Sequence, residues 1–405
     1  MKWKVNFHQL VYLAIIVGYI LSFKFIPMQD FPDWFYQSWL FSGMLQEKIH
    51  LTIHSYIAPN ITTTLILGGL CYFIPPFIAA KCFLILVSIF LYTGILAFLR
   101  QFHPDESDTK LLIPLAFLWT FNFNFFHGNL SFIFSLGLCF HAIARLQKNM
   151  PTYFTLFLTH FILYATHFFG WFLYSLTTLI HLAWKKDINN IRKFIVSFSP
   201  VMIIFLHYLY TKEPITPTQI PHLSFLKLCY EKCGLIFFIL KPFPTFRDIW
   251  PETLWIKGLN LVWFFGYGLM GIYAVKLAKD IFRKDERPLI IIVLIFLYFL
   301  MPLETHDVVR PGERLLLMIL CYITTLGIPV FKKIDSGFTW LVGASFLMIL
   351  IPTQKFNEAM QQNAPLMPYK KSAHNPFTAR PYYRAIENNN MYQRLPFFET
   401  GFLSK

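Results

Sequence analysis

The chain has 405 residues, of which 56% are hydrophobic, 19% aromatic and only 14% charged, and its mean hydropathy is +0.51. That excludes an ordinary soluble domain and gives an all-α, polytopic membrane protein. The net charge of +14 belongs to basic loops on the cytosolic side rather than to nucleic-acid binding, since no basic run with interleaved aromatics occurs.

Residues 8 to 26 make a first span of about 19 residues, the length a hydrocarbon core of about 30 Å requires. Lys2 and Lys4 precede it, which puts the N-terminus inside, and no small-residue cleavage site follows it. The span ends on Gln29-Asp30-Phe31-Pro32-Asp33-Trp34, two carboxylates where hydrocarbon meets water. Partial desolvation there raises a carboxyl pKa toward a value useful to a general base. The plainer reading is Asp30 as a helix cap, Pro32 at a first helical position and Asp33 facing the helix dipole. Residues 27 to 56 interleave Trp34, Phe35, Trp39, Leu40 and Phe41 with Gln37 and Ser38, the pattern of a helix lying in the interface.

The run from 61 to 75 is short for a span and reads as re-entrant or interfacial. The remaining spans fall near 77–99, 111–126, 129–146, 151–166, 168–184, 191–211, 257–282, 287–303, 313–331 and 336–352, about eleven in all, with the C-terminus outside. This assignment gathers Arg100 and Lys110, Arg145 and Lys148, Lys185 to Lys193, Lys276 to Arg287, and Lys332 and Lys333 on the inner side. Counting 61 to 75 as a span would set the later clusters opposite Lys2 and Lys4. The tail beyond 352, with seven Lys and Arg against three Glu, runs against the charge bias but lies mostly far from the last span.

The outer face then collects Asp30, Asp33, His50, His54 and Asn60, next His127, Asn129 and His167, and last Glu304, His306, Asp307, Arg310 and Arg314. The interiors of the spans hold no Asp or Glu, which disfavours an ion-coupled transporter. His141, His160, His181 and His207 lie within spans and read as hydrogen-bonded packing residues. His127 and His167, at outer span ends, are candidates to bind a head group. Arg310 and Arg314 share a face if a helix begins near Pro311, and paired guanidiniums grip phosphate oxygens; pairing with Glu304, Asp307 or Glu313 as interfacial anchors is an even alternative. Cys229 and Cys233 stand close but lack C-x-x-C spacing. The Pro-rich piece 212 to 256 is a second interfacial element or a connector. The aromatic tail 353–405 is expected to fold back on the outer face.

The order of a short inner N-terminus, one span, an outer loop opening on an acidic residue, many tightly linked spans and a late outer loop with Arg resembles the GT-C superfamily of integral-membrane glycosyltransferases. Asp30-x-Pro32, Pro59-Asn60 and His127-Gly128-Asn129 resemble a bacterial polytopic group within that architecture, although Trp34 stands where the group has His. The resemblance covers residues 1–352 in architecture. It implies transfer of a sugar from a polyprenyl-phosphate-linked donor to a glycan, lipid or protein acceptor at the outer surface, in a bacterial cytoplasmic membrane with the active face periplasmic or extracellular. Asp30 would be the base, with Asp33 as its substitute, and His127, Asn129, His167, His306, Arg310 and Arg314 would hold substrate. No metal ligands are assigned, and a divalent metal stays open. The alternative is a non-catalytic protein that binds, flips or assembles a lipid-linked glycan.

Overall fold

The computed structural model describes residues 7–23, 26, 28, 31–48, 52–53, 57–103, 106–211, 224–240, 254–282, 284–303, 311–327, short stretches within 342–354, and 403–404. Apolar runs punctuated by Pro, Asn, Ser and Thr fold as helices: α1 (Phe7–Leu21), α2 (Phe31–Leu45), α3 (Ile61–Phe73), α4 (Pro76–Phe102), α5 (Glu106–Thr120), α6 (Phe123–His127) and α7 (Leu130–Lys148). There follow α8 (Tyr153–Thr166), α9 (Phe168–Trp184), α10 (Ile188–Thr211), α11 (Phe225–Ile239), α12 (Leu254–Ile281), α13 (Arg287–Leu300), a 3₁₀ turn (Pro311–Leu315) and α14 (Leu316–Gly327). Apart from these, β1 (Thr52–Ile53) pairs antiparallel with β2 (Leu403–Ser404), which brings the chain's last residues beside the first loop.

Local chemistry explains where several boundaries differ from the apolar runs. The run 111–126 breaks because the Asn122 side chain accepts from the Asn124 amide at 2.8 Å and caps α6 instead of letting α5 continue. The first run stops at Leu21, where the Ser22 hydroxyl donates to the Tyr19 carbonyl at 2.6 Å. The run 313–331 opens two residues early, at Pro311, as a 3₁₀ turn rather than an α-helix. Residues 212 to 256 contain a 15-residue helix, α11, which Ser224 caps through the Lys227 amide.

Small residues let the helices approach. A Cβ on Gly94 of α4 would stand 2.4 Å from the Gly137 carbonyl oxygen of α7, and one on Gly137 would meet the Phe90 and Leu91 backbone at 2.8 Å. Gly170 of α9 lies as closely on Ser135 of α7, Gly68 of α3 on the Ser38 carbonyl of α2, and Gly327 of α14 on Met270 of α12. In lipid, where apolar side chains gain nothing by leaving their solvent, such backbone-close contacts supply the packing energy.

Among the described residues four helices are long and apolar enough to cross a membrane: α4, α7, α10, and α12 over Lys257–Ala278. The apolar windows of α4 and α7 are 67% and 72% buried and form the centre, while those of α10 and α12, at 17% and 22%, form the rim. Their outward Ile203, Leu206, Phe265 and Ile272 give an apolar girdle compatible with an integral membrane protein.

The bundle has two chemically different ends. Tyr19 packs edge-on to Phe121, Lys81 Nζ donates to the Leu21 carbonyl at 2.8 Å, and Thr63 shares a 2.7 Å hydrogen bond with Ser131. One end therefore holds the close of α1, α5 and α8 and the start of α3, α4, α7 and α9. The opposite end holds Arg100 reaching the Gln9 amide, Arg287 donating to the Thr325 carbonyl at 2.9 Å and stacking 4.6 Å from the Phe102 ring, and His181 paired with Glu286 at 2.7 Å.

Candidate functional site

His167 joins two helices. Its amide closes α8 on the Leu163 carbonyl at 2.8 Å, and its Nδ1 accepts the Phe169 amide at 3.0 Å to open α9. Across the ring, Arg314 Nη1 lies 2.8 Å from Nε2. The Arg314 guanidinium rests over Phe169 at 5.3 Å and Phe132 at 5.8 Å, which holds a cation against apolar walls.

The proton inventory of this cluster is unusual. A neutral imidazole offers one acceptor and one donor, whereas the Phe169 amide and Arg314 are both donors. One of the two ring contacts therefore sets a donor against a donor, and protonating the ring would spoil both. Burial first, and then the Arg314 charge, push the His167 pKa well below its ordinary value, so the ring stays neutral. Two N–H donors, the Phe169 amide and Arg314, thus converge on one neutral imidazole.

One residue earlier the 3₁₀ turn points the other way. Glu313 is buried, and with Gly312 it faces Lys232 of α11 and Tyr298 of α13 around a recess too narrow for a water-sized sphere, closed by Leu235, Pro302 and Leu303. The Lys232 ammonium donates to the Tyr298 carbonyl, and the Tyr298 hydroxyl returns a 2.8 Å hydrogen bond to the Lys232 carbonyl. Burial lowers the Lys232 pKa to about 8, against the raising effect of Glu313.

The turn before α7 supplies the other expected residues. Gly128 takes a left-handed φ of 86°, and the Asn129 side chain donates to Asn124 Oδ1 at 3.1 Å. His127 is half-buried in this turn, and one turn further along α7 comes the Phe132 that packs on Arg314 and His167. Asn60, also left-handed at φ 76°, precedes α3 with its Oδ1 buried and unpartnered. Beside it Thr62 meets Thr166 at 3.3 Å, and the Tyr164 hydroxyl donates to the Ile57 carbonyl at 2.9 Å.

The structure thus joins His167 to Arg314 directly and sets His127, Asn129 and Asn60 at the same end. Asp30, the side chain of Asp33, His50, His54, Glu304, His306, Asp307 and Arg310 lie outside the described residues. Lys232 was not foreseen: beside Glu231 and near Lys227 it reads as one of several charges on a short helix behind a capping serine. His181, read as a hydrogen-bonded packing residue, has the Glu286 carboxylate as its hydrogen-bond partner at 2.7 Å. Among the described residues no three His, Cys, Asp or Glu side chains gather as a metal site. Compared with protein-family models, with curated proteins and with solved structures, the chain matches none.

Proposed function

We propose that the protein is an integral-membrane glycosyltransferase of the GT-C kind, moving a sugar from a polyprenyl-phosphate donor to an acceptor at the outer membrane surface. The observation that carries the reading is the cluster of Arg314, neutral His167 and the Phe169 amide, built on phenylalanine rings at one end of an apolar bundle. A polyprenyl phosphate presents an anionic head at that depth while its isoprenoid stays in hydrocarbon. Arg314 would hold the leaving phosphate and stabilise the charge that develops on it. Asp30 or Asp33 would take the acceptor's proton, with Asn129, His127, His306 and Arg310 around the head group. In this reading the basic end faces the cytosol, the Arg314 end faces outward, and about eleven spans lie between.

A deletion strain profiled by mass spectrometry for lipid-linked sugars tests it. Accumulation of one donor is expected, reversed by the wild-type gene and not by Arg314→Met or by the double change Asp30→Asn, Asp33→Asn. An unchanged lipid-linked sugar pool, or full complementation by those folded variants, would remove the transferase reading.

A further inference from the structure

Charge is unevenly spread over the basic end of the bundle. Between positions 145 and 193 the chain carries Arg145, Lys148, Lys185, Lys186, Arg192 and Lys193 against a single acidic residue, Asp187. Arg145 and Lys148 lie in the last turn of α7, and a short link leads from them to α8. Lys185 and Lys186 follow the close of α9, and Arg192 and Lys193 stand in the first turns of α10. Helices α8 and α10 start side by side: Lys193 Nζ lies 5.4 Å from the centre of the Tyr153 ring, and the Ser197 hydroxyl donates to the Tyr153 carbonyl at 3.1 Å. Asp187 is turned to its own helix, where it accepts from the Asn190 amide at 3.1 Å and from the Asn190 side-chain nitrogen at 2.6 Å. The turn keeps its lysines under strain. The Lys186 and Asp187 amides close α9 on the Ala183 and Leu182 carbonyls, which holds Lys186 at a left-handed φ of 53°, a position that suits glycine.

Apolar surface begins directly beside these charges. Of the four long apolar helices α10 is the least buried, and Ile188 in its first turn is 77% exposed. Phe154 of α8 is 71% exposed, and Ile195 and Val196 carry the outward apolar surface further along α10. We infer that this corner, where α7 and α9 end and α8 and α10 begin, is a seat for an anionic phospholipid. Its phosphate meets the cations while its acyl chains lie along the outward faces of α8 and α10. Charge complementarity and the adjoining hydrocarbon surface select this occupant together. A zwitterionic head group would bring one more cation to an edge that has a surplus of them, and a soluble anion has no use for the apolar face. The seat lies at the opposite end of the bundle from Arg314, so it stands apart from the glycosyltransferase reading.

The test uses delipidated full-length protein in detergent micelles, offered equal amounts of phosphatidylglycerol and phosphatidylcholine with the same acyl chains and read by native mass spectrometry. Wild type is expected to retain phosphatidylglycerol in preference by about fivefold or more. Lys186→Gly with Arg192→Gln removes two charges from the seat, and the glycine relieves strain at the turn, so the unfolding temperature should hold while the preference falls to about twofold or less. Lys148→Gln with Arg192→Gln, which leaves that turn untouched, should act alike. Lys276→Gln with Lys284→Gln removes the same charge from α12 and the link after it, and should keep the wild-type preference. Arg314→Met should keep it too, which separates this seat from the proposed donor site. Equal retention of the two lipids by wild type overturns the inference. So does a Lys276, Lys284 variant that loses as much as the seat variants, because net charge alone would then account for the preference. Displacement of phosphatidylglycerol by an equimolar amount of glycerol 3-phosphate would also overturn it, since the cations would then be reading phosphate without the lipid.

Discussion

Replacing Gly94 by Ala tests the packing on which the bundle depends. The new methyl would stand 2.4 Å from the Gly137 carbonyl oxygen, 3.1 Å from its carbon and 3.2 Å from its Cα, all backbone atoms that no rotamer change can move. Ordinary contact needs about 1 Å more, and a gap of that size forfeits a quarter to a half of the attraction at each neighbouring contact. Overpacking of this kind costs about 1–3 kcal/mol, and a rigid backbone neighbour favours the upper end. Alanine returns about 0.5–1 kcal/mol through helix propensity. The net loss is therefore about 2 kcal/mol, on the order of a 30-fold fall in the folded-to-unfolded ratio. Gly18→Ala in α1 is the matched control: nothing lies within 4 Å of its Cβ position, so only the gain of about 0.5–1 kcal/mol remains. Thermal and SDS-induced unfolding in the same detergent should move the two variants in opposite directions. If Gly94→Ala proves as stable as Gly18→Ala, the α4–α7 contact does not hold the bundle as described.

The turn before α7 depends on a left-handed residue, and Gly128→Ala, at a φ of 86°, should cost about 1–2 kcal/mol in the same unfolding assays while leaving helix content unchanged. At the opposite end burial raises the Glu286 pKa, but the His181 hydrogen bond and nearby positive charge outweigh it, so the carboxyl is held below its ordinary 4.5. A depressed carboxyl contributes stability above its unfolded value and loses it as pH falls through the folded one. Denaturation at pH 7 and below pH 4.5 should therefore show a wild-type decline that Glu286→Gln lacks, with the variant already weaker at pH 7.

Composition and run length made the helical, apolar class legible, because hydropathy and span length are summed over many residues and survive local irregularity. Boundaries were less legible where one side chain competes with the ladder: Asn122 divides a run that looks continuous, and Pro311 begins its helix as a 3₁₀ turn. His167 and Arg314 were identifiable as polar residues at span ends, yet their 2.8 Å contact joins positions 147 residues apart, and no local pattern encodes it. Lys232 was hidden for a different reason. With Lys227 and Glu231 near it, Lys232 reads as one more charge of a solvated helix face, and only the fold shows that the Tyr298 carbonyl at the close of α13 is there to receive it.

The two ends of the bundle separate two uses of charge. At the basic end Arg287 has Asp285 and the Thr325 carbonyl, Arg100 has Gln9, and His181 is hydrogen-bonded to Glu286. At the other end Arg314 faces Nε2 of an imidazole whose Nδ1 already accepts an amide. Pairing charges costs little where water can reach them, whereas a donor surplus against phenylalanine is costly unless an incoming acceptor relieves it. That asymmetry makes the Arg314 end, and not the more highly charged one, the place to look for the donor's bound phosphate, because there two donors converge on one neutral imidazole against phenylalanine rings.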